Sequence, residues 1–180
     1  KPALSSSGER LSILLFGTLG FYYLASGILA FLDKKRITRT IRLIYLIGLW
    51  GVSISVIGIM CRILLLQGDK ELLMAATFSL IGVLLFSWLS YRRLQDDHNR
   101  EVFTWQMQPL VIRSIPAIMF SIGIIYADNE AVYKNFGTYR NNADYLHSIV
   151  QAYENPNDTA AVNAFKRMDE AIRSQKLIEE

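Results

Sequence analysis

The amino-acid sequence predicts an all-α, polytopic membrane protein with four transmembrane helices followed by a C-terminal amphipathic helical hairpin. Three observations carry that prediction. The chain of 180 residues is 52% hydrophobic with a mean hydropathy of +0.24, more apolar material than one soluble core of this size encloses. Almost all of the excess lies before Ala127. It is gathered into four runs nearly free of charge, and a run of about 20 apolar residues in hydrocarbon has to satisfy its backbone internally, as a helix.

Residues 1–10 are polar, contain Ser5-Ser6-Ser7-Gly8 and read as a lead-in to the first run. Segment one, 11–32, holds 22 residues without a charge. A secretory leader is the competing reading, but its apolar core is only about 7 to 15 residues long. Segment two, 43–66, begins with 19 uncharged residues between Arg42 and Arg62 and continues to Leu66 if the Arg62 side chain reaches outward. Segment three, 72–91, is again uncharged. Segment four, 110–126, is the shortest at 17 residues and carries Arg113 and Pro116. Pro109 suits the first turn of its helix, Pro116 is expected to kink it, and Arg113 is expected to reach the headgroups from the boundary.

Beyond Ala127 the pattern changes. Tyr145, Leu146, Ile149, Val150 and Tyr153 recur on one helical face, and Val162, Phe165, Met168 and Ile172 on another. Glu154-Asn155-Pro156-Asn157-Asp158 separates them, with Asp158 or Thr159 placed to cap the second helix. Residues 127–180 are therefore expected to form a soluble or membrane-surface tail whose two amphipathic helices need a covering surface.

Charge placement sets the expected orientation. Lys34, Lys35, Arg36, Arg39 and Arg42 crowd the first connection, and Arg92, Arg93 and Arg100 the third. Basic residues in short loops face the cytoplasm, so loops 33–42 and 92–109 are predicted cytoplasmic and both termini opposite, in a cell or inner membrane. The same placement argues against nucleic acid as the target of the +3 net charge, because the cations stand at the ends of apolar runs. Anionic lipid headgroups are the expected contact of the first cluster.

Catalytic and metal signatures are missing from the sequence. The single cysteine, Cys61, excludes a Cys-pair zinc site, and the contiguous Asp96, Asp97 and His98 lack a remote ligand to close a metal shell. No cofactor is expected. Arg62 and Arg113 are the candidate intramembrane polar residues, with Gly51, Ser55 and Gly58 on the same face as Arg62. Pairs of small residues, Gly51 with Ser55, Ser26 with Ala30, Ala75 with Ser79 and Ala117 with Ser121, favour close helix packing in lipid. Trp105, Tyr91 and Tyr126 fit an interfacial aromatic belt. Tyr133, Phe136, Tyr139, Tyr145 and Tyr153 make the early tail a candidate docking surface for the membrane or another subunit. Asn157-Asp158-Thr159 has the pattern of an N-glycosylation acceptor.

The expectation that follows is a non-catalytic accessory or structural subunit of a multi-subunit membrane complex, in contact with lipid and with other subunits or copies of itself. A small self-associating channel or transporter lined by the Gly51 and Arg62 face is the first alternative. A membrane enzyme acting on a lipid or quinone near Arg113, with Asp96 and Asp97 as acid or base, is the second.

Overall fold

A computed structural model describes residues 7–32, 39–136 and 142–179. All regular structure among them is helical: α1 (Ser7–Leu32), α2 (Arg39–Ile63), α3 (Asp69–Arg93), α4 (Asp97–Tyr126), α5 (Asn129–Phe136), α6 (Ala143–Glu154) and α7 (Thr159–Glu179). The first four include stretches long and apolar enough to cross a membrane, Leu11–Leu32, Thr40–Ile63, Asp69–Arg93 and Asp97–Tyr126. This is a helical bundle with four candidate membrane-spanning helices.

α2 is the hub. It packs against α1, α3 and α4 and also touches α5, whereas α1 packs on α2 and has no extended contact with α4. Close approach around α2 depends on residues without bulk. A Cβ on Gly51 would stand 2.9 Å from the Leu80 side chain of α3, and one on Gly58 would stand 2.9 Å from Leu73. Leu73 and Leu80 are fully buried, so each glycine is a socket for a leucine of the neighbouring helix. Across the α2–α4 interface the Ser55 and Ser121 hydroxyls meet at 2.6 Å, and Ser53 donates to the carbonyl of Gly20 on α1 at 2.7 Å.

Several helix ends differ from the segments read in the sequence, and two of the differences reshape the connections. α4 begins at Asp97, not at 110, so connection 92–109 contracts to Leu94, Gln95 and Asp96. Asp96 caps the helix by accepting from the His98 amide, and Phe103, Met107 and Leu110 carry its buried face back through what looked like loop. Pro109 therefore lies about three turns inside the helix rather than in its first turn, and α4 continues through both prolines. α2, for its part, ends at Ile63 instead of Leu66. The Leu66 amide donates to the Cys61 carbonyl and the Leu65 amide to Arg62, the bonding of a Schellman turn, with Leu65 in the left-handed conformation at φ 48°.

The tail folds back under the bundle. Leu65 joins Tyr133, Tyr145 and Leu146 in one buried cluster, against which Ile149, Val150, Tyr153, Phe165, Met168 and Ile172 pack. α6 and α7 lie against each other, Tyr145 facing Phe165 with ring centroids 5.7 Å apart. Asn142 caps α6 and Asp158 caps α7 through their side-chain oxygens. The apolar faces read from the tail sequence are thus covered by the chain's own α2–α3 turn and by each other.

Candidate functional site

Three polar features stand out in this apolar scaffold. The first is the basic end, where α1 and α3 finish and α2 and α4 begin. Lys34, Lys35 and Arg36 lie outside the described residues, as does the side chain of Arg39. Arg42 donates to the Phe31 carbonyl at 3.3 Å and so ties α2 to the end of α1. Arg92 lies over the Trp88 ring at 4.2 Å, and Arg100 combines a bond to the Leu94 carbonyl with a 5.9 Å approach to the Tyr91 ring. Tryptophan, tyrosine and arginine together on an exposed rim have the amphipathic character of a headgroup-level belt. Next to it an open hollow is lined by Tyr91, Asp97, His98, Glu101 and Trp105. Asp96 is occupied in capping α4 and Asp97 pairs with Arg100 at 3.6 Å on the surface.

The second feature is buried at the opposite end. Arg62 closes α2 with none of its side chain exposed, and Asp69 opens α3 with almost none. The connecting turn brings them together: an Arg62 Nη1 donates to Asp69 Oδ2 at 3.4 Å. A third partner arrives from the tail, because Tyr153 on α6 accepts from Arg62 Nη1 at 2.8 Å and donates its own proton to Asp69 Oδ1 at 2.6 Å. Arg62 Nη2 donates to the Ala127 carbonyl at 3.0 Å, just past α4, and the Lys70 amide donates to Asp69 Oδ1 at 2.8 Å. Burial and the adjacent Asp69 carboxylate push the Tyr153 phenol up to about 12. One guanidinium and one carboxylate thereby tie α2, α3, the end of α4 and α6 into a single latch.

The sequence placed the Arg62 charge at the membrane edge reaching outward; the structure turns it inward onto Asp69 and Tyr153. The face it shares with Gly51, Ser55 and Gly58 is filled by Leu80, Ser121 and Leu73, leaving no lumen along α2 within one chain. Tyr153 carries a role that the sequence did not assign, since it was grouped with the docking rings. Of those rings Tyr133 and Tyr145 are each 3% exposed inside the tail cluster, Phe136 is 61% exposed, and Tyr139 lies outside the described residues.

The third feature is Arg113. Register along α2 fixes its depth: Gly48 meets Leu110, and Ser55 meets Ala117 and Ser121. Arg113 therefore stands about level with Gly51, the central residue of α2. It is not one turn from a boundary, as the sequence suggested, because α4 extends well beyond it at both ends. Its guanidinium lies 6.0 Å from the Tyr23 ring centroid on α1. The ion pairs among the described residues are Arg62 with Asp69 and Arg100 with Asp97, and Arg113 makes neither an ion pair nor a hydrogen bond with any described residue.

Compared with known protein families, with characterised proteins and with solved structures, the chain has no match in any of the three. No group of three potential metal ligands occurs among the described residues.

Proposed function

We propose that this chain is a non-catalytic subunit of a multi-subunit integral membrane complex, crossing the bilayer four times and joined to its partners through the outer faces of its helices. The observation that supports this reading most directly is the division of labour between inward and outward side chains. Buried polar groups such as Arg62, Asp69, Ser53 and Ser55 bond to one another or to backbone, so they are committed to holding the bundle. Outward the surface is apolar over whole helices, with Leu14, Phe21, Phe78, Phe86, Met119 and Phe120 all exposed. Such a surface suits acyl chains and other spanning helices.

Orientation belongs to the same proposal. The ends bearing Arg42, Arg92, Arg93 and Arg100 face the cytoplasm, anionic lipids meet the rim, and the latched tail lies on the other side. Phe136 is the exposed ring left for contact with a partner or the membrane surface. Purification of the full chain from its native membrane in mild detergent is the test. Defined other chains in fixed proportion are expected, and a lone monodisperse monomer overturns the proposal.

A further inference from the structure

Given the subunit reading above, on which this rests, we propose that the seam between α1 and α4 seats a transmembrane helix of a different protein, and that a carboxylate on that helix pairs with Arg113. Four observations lead there.

The charge of Arg113 is permanent, because a guanidinium is not deprotonated in proteins. It is also deep. Gly51, which marks its level, is about 18 Å from either end of α2 at 1.5 Å per residue, a distance one side chain does not bridge. Side chains on a helix lean toward its N-terminus, and the 6.0 Å approach to the Tyr23 ring fixes the guanidinium against α1 rather than at the rim. An ionised residue at such depth marks a functional contact whose partner has to be sought.

No ion-pair partner for it is found among the described residues. Segments 11–32, 43–66 and 72–91 contain no Asp or Glu, and on α4 the nearest carboxylate is Glu101, about 18 Å along the helix. For the same reason a second copy brings no carboxylate to this depth, which points to a different protein. Phospholipid phosphates reside at headgroup level, beyond reach of the guanidinium. A carboxylate carried on another spanning helix arrives at the right depth.

Finally, there is a place for it. α1 rests on α2 and has no extended contact with α4, so the two helices meet at a seam over α2, beneath which Val52 and Val56 are buried. Phe16 and Tyr23 of α1, with Ile118 and Ala117 of α4, the latter one turn beyond Arg113, cover those valines, so an incoming helix rests on the outer side of the seam. A small residue there allows a neighbouring backbone to approach.

The test places a photoreactive residue at Ile112, exposed on α4 beside Arg113, in the full chain within its native membrane. A crosslink to a spanning chain with an intramembrane Asp or Glu is expected, with co-purification of that chain falling at least tenfold in Arg113→Leu and on replacement of its carboxylate by the amide. Arg113→Lys retains a substantial part, and exchanging the two charges between the chains restores association. Arg113→Leu alone in detergent should melt no lower than the parent, which separates a docking role from a structural one. Crosslinks confined to lipid or to a second copy overturn the inference. So does undiminished co-purification by Arg113→Leu, which leaves the subunit reading standing; a parent chain that purifies alone removes that reading first.

Discussion

At the scale of residues, stability at the tail end turns on Arg62, Asp69 and Tyr153. A buried ion pair offers little net gain over apolar packing, but removing one partner strands the other charge, at a cost of about 3–5 kcal/mol. Asp69→Ala should therefore lower unfolding stability by about that amount, whereas Arg62→Met combined with Asp69→Leu should lose less than the single change. Chemical unfolding of the three proteins in one detergent measures both. Tyr153 adds a pH dependence. Its phenol titrates near 12 in the folded chain against about 10 unfolded, so protonation favours the folded form. The contribution is complete below about pH 10 and is lost as pH rises toward about 12. Tyr153→Phe should abolish that alkaline loss, as followed by tail proteolysis across the same pH range. None of this partnership was legible in the sequence, because Tyr153 is 91 positions from Arg62 and nothing local signals so distant a bond.

At the scale of elements, helix spacing is set by leucines seated on glycines. Gly58→Ala puts a methyl 2.9 Å from both Cγ and Cδ2 of Leu73, so α3 has to yield, and overpacking of this kind costs about 1–3 kcal/mol. Gly82 has open space where its Cβ would be, and Gly82→Ala should leave stability unchanged or slightly raised. Thermal melting of the two variants side by side decides this. Ser55→Ala belongs to the same interface and should cost about 0.6 kcal/mol, the average for a hydrogen bond between helices in lipid. The four long helices were legible because uncharged length alone demands helix in lipid. The start of α4 was not, since Asp97 to Gln108 is polar enough to resemble a loop and Pro109 resembles a first turn. Phe103, Met107 and Leu110 at helical spacing, behind an Asp96 cap, were the signal available. Tyr145, Leu146, Ile149, Val150, Tyr153, Phe165, Met168 and Ile172 are visible in the sequence as apolar residues at helical spacing, but the Leu65 turn against which they pack is visible only in three dimensions.

At the scale of the whole molecule, charge asymmetry between the two ends predicts sidedness. One end exposes Arg92 and Arg93, while at the other Arg62 is neutralised inside the latch. With Cys61 replaced by Ser, a cysteine introduced at exposed Asn157 should react with a membrane-impermeant maleimide from the exoplasmic side, and one at Gln95 only from the cytoplasmic side. Reaction of both from one side would refute the single crossing, by α4, between them. Arg113 is the whole-molecule counterpart of Arg62: a charge deep along the helices whose contact among the described residues is the Tyr23 ring rather than a carboxylate.

The position of Tyr153 also imposes an order on biogenesis. Synthesis delivers Arg62 and Asp69 first, as neighbours across one turn, and adds the Ala127 carbonyl and then the tyrosine only after α4 and the start of the tail have emerged. Until then an arginine at the foot of the first three helices holds unspent donors. A ribosome that stalls upstream of residue 153 therefore leaves the Arg62–Asp69 pair without the phenol that bridges its two charges.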